Sequence, residues 1–145
     1  MVFDTGCAHS ITPVLDDFVT ELEEHPSLTI SGFTNADSVS PQGAGWVEWP
    51  IRDINGTTTV IRTRAYYVPQ AGVRLFCPQN YDLEQDRQDE GVGHYSGTRT
   101  SIRFTDEYLH ELEFPFTPNI RLPLVSLDKS IPETGLSETL LMNLS

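Results

Sequence analysis

The sequence contains little positive charge and no long apolar run. Its 145 residues include 9 Lys and Arg against 21 Asp and Glu, which gives a formal net charge of −12. Nucleic-acid phosphates repel a surface of this sign, so we expect this segment to bind no nucleic acid. No apolar stretch approaches the about 20 residues that cross a bilayer, and Asp4 interrupts the apolar start of the chain, which argues against a signal peptide. We therefore expect no membrane partner either.

Cysteine is also scarce. Cys7 and Cys77 are far apart in the sequence and form neither a zinc-ligand pattern nor a disulfide framework. Cys7 and His9 could supply two metal ligands, but no second pair completes a site. The histidines are scattered, at positions 9, 25, 94 and 110, and packing or solvent exposure is the expectation for each. The sequence therefore predicts no metal and no cofactor.

The clearest structural signal is a β-hairpin in the middle of the chain. The dipeptide Asn55-Gly56 lies between two β-prone stretches, Trp46–Ile54 and Thr57–Val68. Asn-Gly suits the left-handed dihedral angles of a tight turn, so we interpret it as a two-residue loop.

That loop length fixes which residues face each other. Ile51 is expected opposite Val60, and Trp49 opposite Arg62, so one face of the hairpin would carry apolar and cation–π contacts. Pro50 lacks an amide hydrogen, which indicates that the first strand has an unpaired stretch.

A short helix is predicted before the hairpin. Thr12-Pro13 is typical of an N-cap followed by proline at the first helical position, and Asp16 and Asp17 fall in the first turn, where the helix dipole favours acidic groups. The apolar residues that share one helical face are Val14, Leu15, Phe18, Val19 and Leu22. The helix is expected to end before Pro26.

Most of the remaining chain predicts β-structure. Leu28–Ile30 has the character of a strand, and so do three later segments: Thr100–Phe104, Glu111–Phe116 and Arg121–Leu127. Residues 84–99 include a polar run with almost no apolar side chain, which indicates a mobile acidic loop or linker. Residues 100–145 are expected to add a further β segment and a loose tail. The predicted fold class is mostly β, with one or two short helices.

The chemistry of the chain is concentrated in Asp4-Thr5-Gly6. Two carboxylates about 3 Å apart can hydrolyse a peptide bond, because like charges at that distance cannot both ionise and the pair holds one proton. The ionised carboxylate takes a proton from a water, and the protonated one donates to the scissile carbonyl. A hydroxyl residue beside each Asp can hydrogen-bond across the axis between two copies, and the glycine lets the turns approach closely.

The triplet alone is weak evidence, because an Asp-(Ser/Thr)-Gly triplet occurs by chance in roughly one chain in fifteen of this size. Its structural alternative is a polar turn that closes a strand. The neighbouring residues favour the catalytic interpretation. Val2 and Phe3 are apolar, as a strand that enters a dimer core would be, and Ile11 is apolar after the turn.

Two longer motifs resemble a known family. The first covers residues 3–13 (FDTGCAHSITP) and resembles the protease opening of copia-type LTR retrotransposon polyproteins, where Asp-(Ser/Thr)-Gly-(Ala/Cys) precedes a histidine, an apolar residue and a threonine. The second covers residues 65–79 (AYYVPQAGVRLFCPQ) and is similar to that family's Tyr-Val-Pro segment with the leucine-rich stretch after it. In retropepsins this stretch crosses beneath the catalytic loop, and Leu75-Phe76-Cys77 matches it.

The resemblance implies a retropepsin-like aspartic protease domain over residues 1–83, built as half of a closed acid-protease β-barrel. It implies a homodimeric endopeptidase that cuts a Gag–Pol polyprotein, in the cytoplasm or within a virus-like particle. By the same resemblance, Asp4 is the catalytic residue, Thr5 hydrogen-bonds across the dimer, and Gly6 is the turn residue. The flap over the substrate would be Ile30–Val39. The flap residues nearest the peptide would be Gly32, Phe33 and Thr34.

Two features depart from the family pattern. The strand that leads into Asp4 is short, so we expect an upstream extension to strengthen the dimer. His9 falls at the sixth place of the motif, where the family more often has histidine seventh, which leaves its role undefined. A second interpretation therefore stays open: a catalytically inactive retropepsin-like domain that acts as a dimerisation or peptide-binding module.

Overall fold

The structure is a computed structural model that describes residues 1–24, 40–84, 94–118 and 122–128. Within these ranges the protein is mostly β, as the sequence predicts. Its strands, in chain order, are β1 (Val2–Phe3), β2 (Ser10–Thr12), β3 (Gly43–Arg52), β4 (Thr58–Tyr67), β5 (Leu75–Phe76), β6 (Tyr95–Gly97), β7 (Ser101–Thr105) and β8 (Glu111–Pro115). The helix α1 spans Pro78–Glu84, and a 3₁₀ turn covers Leu15–Asp17.

The strands form two open sheets. The first has the order β1-β5-β2-β4-β3, in which β1 runs parallel to β5 and β2 runs parallel to β4. The remaining neighbours in this sheet are antiparallel. The second sheet has the antiparallel order β6-β7-β8.

The closed β-barrel half expected from the sequence is not formed by the described residues. A barrel would require β1 and β3, at the two ends of the first sheet, to meet. The outer side of β1 bonds instead to a later segment. Phe3 donates its amide to the carbonyl of Pro123 at 3.0 Å, and Val125 donates to the carbonyl of Met1 at 3.0 Å. This pairing occupies the edge that would otherwise close the sheet.

Aromatic rings around Phe3 join the two sheets. The centroid of the Phe3 ring lies 4.9 Å from that of Phe114 and 5.6 Å from that of Phe104, both in the second sheet. It lies 5.6 Å from the ring of Phe76 in the first sheet, and Tyr81 of α1 is fully buried beside Phe76 and Phe104. Full burial of a Phe side chain contributes roughly 1.5–3 kcal/mol. The segment beyond residue 100 therefore belongs to the same core as the N-terminal segment.

The predicted hairpin is present, but its register differs from the prediction by one residue. Ile51 lies opposite Thr59 instead of Val60. Asp53 and Thr57 close the turn: the Thr57 amide donates to the Asp53 carboxylate at 2.9 Å, and the Asp53 amide donates to the Thr57 carbonyl at 2.8 Å. Three residues, 54–56, therefore lie between this closing pair where two were predicted, because the Asp53 carboxylate supplies a hydrogen-bond partner that the Asn-Gly pattern does not reveal.

This register places Trp49 in the core and leaves Arg62 outside. Trp49 lies opposite Ile61 and is fully buried, so the predicted contact between Trp49 and Arg62 is wrong. Arg62 lies instead over the ring of Trp46, 5.2 Å from its centroid. A shift of one residue in register exchanges the two faces of a strand, which explains why Arg62 contacts Trp46 and not Trp49. Pro50 does not interrupt β3 as expected, because β3 is an edge strand and its pairing with β4 at this position needs no amide donor from Pro50.

The helix predicted after Pro13 is not present. Beyond the 3₁₀ turn the chain forms bridges to β3, from Phe18 to Val47 and from Glu23 to Ala44. A helix would break these contacts, so pairing with the edge strand outweighs the local helical pattern.

The later strand predictions have mixed outcomes. The strands predicted at 100–104 and 111–116 are confirmed as β7 and β8, with small changes at their ends. Residues 95–97, within the expected linker, form β6, and the domain boundaries stay predictions. Several predicted features lie outside the described residues: Leu28–Ile30, the flap with Gly32, Phe33 and Thr34, most of the acidic linker, and the tail beyond residue 128.

Gly56 provides a test of the hairpin turn. Its φ is +83°, in the left-handed region, and a Cβ added there would meet open space. Gly56→Ala is therefore expected to lower the free energy of unfolding by about 1 kcal/mol through backbone strain alone. Gly97→Ala is the matched control, since Gly97 has equally open surroundings and no positive φ. Urea unfolding measures both variants, and equal stabilities would contradict this turn geometry.

Candidate active site

Asp4 is positioned by the parallel pairing of β1 with β5. Val2 and Phe3 pair with Leu75 and Phe76, and all four side chains are buried. The amide of Asp4 donates to the carbonyl of Phe76 at 3.0 Å, which extends the ladder by one bond. The chain then leaves the sheet and turns.

Asp4, Thr5 and Gly6 form one turn. The amide of Gly6 donates to Oδ1 of Asp4 at 2.8 Å and fixes the direction of the carboxylate. Asp4 is half-buried, whereas Thr5 and Gly6 are exposed. A Cβ added to Gly6 would lie 3.4 Å from Oδ1 of Asp4, and Gly6 has no positive φ. The packing of a single chain therefore does not by itself require glycine at this position.

The start of α1 holds the turn from behind. Gln79 donates from Nε2 to the carbonyl of Thr5 at 2.6 Å. Asn80 donates from Nδ2 to the carbonyl of Ala8 at 2.8 Å. Sequence reasoning gave Gln79 and Asn80 no role, although Gln79 ends the second family-like motif. The position of Gln79 at the end of that motif was the one sequence feature that could have indicated its role.

Ser10 of β2 and Cys77, the residue after β5, pack behind the same turn. The amide of Cys77 donates to Oγ of Ser10 at 2.9 Å, and its thiol donates to the carbonyl of Cys7 at 2.9 Å. The ring of His9 packs edge-on against that of Tyr66, with centroids 4.8 Å apart, and burial lowers the pKa of His9 from its usual 6.5. His9 is therefore a neutral packing residue near pH 7.

Arg74, the residue before β5, forms a buried ion pair with Asp17. Its Nε donates to Oδ2 of Asp17 at 2.7 Å and its Nη2 donates to Oδ1 at 3.2 Å, and neither side chain is more than 4% exposed. Oδ2 of Asp17 also accepts hydrogen bonds from the Thr12 hydroxyl at 2.6 Å and the Trp49 indole at 3.0 Å. The network thus ties the 3₁₀ turn to β2, β3 and the start of β5.

The protonation of Asp17 reflects this network. Burial raises the pKa of Asp17, but hydrogen bonds from Arg74, Thr12 and Trp49, together with the Arg74 charge, outweigh burial and hold the pKa below its usual 3.8. Because the folded-state pKa is lowered, the ionised carboxylate stabilises the fold above about pH 4. This contribution is lost as the pH falls through the folded-state value.

The structure describes only part of the predicted site. Asp4, Thr5 and Gly6 lie together, whereas the flap residues 32–34 fall outside the described ranges. The two chain segments that flank the undescribed stretch are held side by side. Glu23 and Ala44 exchange backbone hydrogen bonds in both directions, each of 2.8 Å.

Among residues 1–24, 40–84, 94–118 and 122–128, no group of three or more His, Cys, Asp or Glu side chains could hold a metal ion. In that part of the chain, no helix has the length and apolar character needed to cross a bilayer. Comparison with protein-family models, curated proteins and solved structures finds no match for this chain. Any function of this chain must therefore be inferred from its own residues and their geometry.

Arg74→Met tests the buried ion pair behind β5. We expect the free energy of unfolding at pH 7 to fall by about 3–5 kcal/mol, because Asp17 would stay buried without the Arg74 cation. The difference from the wild type should shrink as the pH falls through the folded-state pKa of Asp17, which lies below 3.8 in the wild type, because a protonated Asp17 no longer needs the Arg74 cation. Arg52→Met is the matched control and should change stability little, because the Arg52–Asp128 pair is exposed. Equal losses in the two variants, measured by urea unfolding, would contradict this role of Arg74.

Proposed function

We propose that this chain is one subunit of a retropepsin-like aspartic endopeptidase. Its active site would form when the Asp4-Thr5-Gly6 turns of two copies meet across a twofold axis. Each copy supplies one Asp4 carboxylate. Thr5 hydrogen-bonds toward the partner copy, and Gly6 permits the close approach of the two turns.

The main support for the proposal is the geometry of the Asp4-Thr5-Gly6 turn. The Gly6 amide aims the half-buried Asp4 carboxylate, while Thr5 and Gly6 remain exposed beside it. Gln79 fixes the backbone of the turn from behind. A polar turn that only closes a strand needs neither an aimed carboxylate nor a support from a helix more than seventy residues away. A catalytic group needs both, because it must keep one geometry.

The topology around the turn supports the same interpretation. β1 enters the turn parallel to β5, and α1 follows β5 directly. Gly6 is not required by the packing of one chain, so its presence agrees with close approach of a second molecule.

The proposed reaction follows from two carboxylates that share one proton. The ionised Asp4 of one copy takes a proton from a water held between the turns, and the resulting hydroxide attacks the scissile carbonyl carbon. The protonated Asp4 of the other copy donates to the carbonyl oxygen. Collapse of the tetrahedral intermediate, with proton transfer to the leaving nitrogen, releases the two peptide products. No metal ion or organic cofactor is needed.

The substrate and setting rest on the sequence motifs at residues 3–13 and 65–79. They favour a copia-type retrotransposon protease, for which the substrate is a Gag–Pol polyprotein. Cleavage would then take place inside the cell, in the cytoplasm or within a virus-like particle.

Asp4→Asn tests the catalytic role directly. The substitution keeps the size of the side chain and an oxygen that can accept the Gly6 amide, but it removes the acid. Cleavage of a peptide library of mixed sequence is expected to fall by roughly 10²–10⁴-fold, with circular dichroism and thermal unfolding unchanged. Asp16→Asn is the matched control, because Asp16 is an exposed carboxylate on the 3₁₀ turn and its loss should leave cleavage intact.

The result of this experiment distinguishes an aspartic protease from a non-catalytic module. Full cleavage by a folded Asp4→Asn protein would refute the assignment of the catalytic residue. A wild-type chain that folds and dimerises but cleaves no peptide would favour the non-catalytic dimerisation or peptide-binding module.

A further inference from the structure

The loop between β7 and β8 holds a leucine in an unfavourable backbone conformation. The φ of Leu109 is +63°, in the left-handed region. Within the described part of the chain, Leu109 is the one non-glycine residue with a positive φ. A Cβ is disfavoured in this region, where glycine or asparagine usually stands. A leucine at this position therefore calls for a role of its side chain.

Backbone hydrogen bonds hold the loop in this conformation. The loop, residues 106–110, is organised by Asp106, whose side chain is fully buried. Oδ1 of Asp106 accepts hydrogen bonds from the amide of Tyr108 at 3.0 Å and from the amide of His110 at 2.7 Å. The amide of Leu109 donates to the Asp106 carbonyl at 3.0 Å, and the Asp106 amide donates to the His110 carbonyl at 3.0 Å.

Two further contacts fix the 106–110 loop to the body of the protein. The amide of Glu107 donates to the hydroxyl of Tyr81 at 2.7 Å, and Tyr81 is fully buried on α1. Oδ2 of Asp106 accepts from the hydroxyl of Thr59, on β4, at 2.6 Å. All five amides of the loop thus donate hydrogen bonds within the protein. The left-handed conformation of Leu109 is therefore imposed by the loop and not by packing of its side chain.

The apolar side chains of this region are exposed. Tyr108 is 60% exposed and Leu109 is 57% exposed. Ile54, at the turn between β3 and β4, is 43% exposed, and its amide donates to the carbonyl of Glu111 at 3.0 Å, so the two turns lie side by side. Single exposed apolar residues are ordinary on protein surfaces. A leucine that is both exposed and kept in a strained conformation is not explained by packing within the chain, which points to contact with another molecule.

Acidic groups surround this apolar surface. Glu107 and Glu111 lie on either side of it in the sequence, and residues 106–111 include no Lys or Arg. Arg103 offsets part of this charge, since its Nη1 lies 3.5 Å from Oε1 of Glu111, but the whole chain carries a net charge of −12. A second copy of the chain or an anionic lipid surface would bring like charges together, whereas a basic partner would be attracted.

We propose that Ile54, Tyr108 and Leu109 form a docking surface for a polypeptide segment that combines apolar with basic side chains. Apolar side chains of the partner cover the three exposed residues, and its lysines or arginines face Glu107 and Glu111 at the rim. The strain at Leu109 is then retained because the leucine side chain is needed for binding. Docking of such a partner does not require protease activity.

Leu109→Gly tests this surface in the full chain. Glycine removes the apolar side chain and relieves the left-handed strain, so the variant should unfold at a higher urea concentration than the wild type. It should nevertheless bind a fluorescent amphipathic peptide of leucine and lysine about 10–10²-fold more weakly, the range that burial of one leucine provides. Fluorescence polarisation measures the affinity. Leu15→Ala is the matched control and should bind as the wild type does, because Leu15 is 53% exposed on the 3₁₀ turn.

Four results would overturn the proposal. The first is unchanged binding by folded Leu109→Gly, or a wild type that does not bind the leucine–lysine peptide. The second is equal binding of a leucine–glutamate peptide, which would remove the basic character of the partner. The third is self-association, or binding to phosphatidylcholine vesicles, that Leu109→Gly abolishes, which would assign the surface to a second copy or to lipid. The fourth is a lower urea midpoint for Leu109→Gly, which would show that Leu109 is not strained.

Discussion

The parallel pairing of Val2–Phe3 with Leu75–Phe76 is the contact on which the rest of the structure depends. Each strand is only two residues long, so the ladder contributes few hydrogen bonds. Its stability comes from burial of the Phe3 and Phe76 rings among the aromatic side chains of the second sheet and α1. Residues 123–125 cover the other side of β1. The N-terminal segment, the middle of the chain and residues 123–125 therefore depend on one core.

The same contact organises the candidate site. Asp4 leaves the ladder at the carbonyl of Phe76, and β5 continues into α1, whose Gln79 holds the turn. Before β5, the buried pair of Arg74 and Asp17 fixes where this strand begins. Segments far apart in the sequence thus converge behind one carboxylate, which gives the turn the rigid support that the proposed acid–base chemistry requires.

Local signals in the sequence predicted part of this structure. The hairpin, β7 and β8 were predictable, because alternation and turn residues act over short distances. The helix after Pro13 was not, since Phe18 pairs with a strand nearly thirty residues later. At the site, the motif predicted the Asp4-Thr5-Gly6 turn, whereas no periodicity marks Gln79 or the Arg74–Asp17 pair. Their hydrogen bonds join residues 57 and 74 positions apart, so they become visible only in the folded chain.

Mixing wild-type chains with Asp4→Asn chains tests the central claim most directly, namely that one active site uses Asp4 from two copies. The two proteins are unfolded together, refolded at constant total concentration and assayed for peptide cleavage. If both carboxylates are required, an equal mixture retains about one quarter of the wild-type activity, because random pairing gives that fraction of dimers with two intact chains. Retention of about one half would mean that each chain carries a complete site, and would contradict the account.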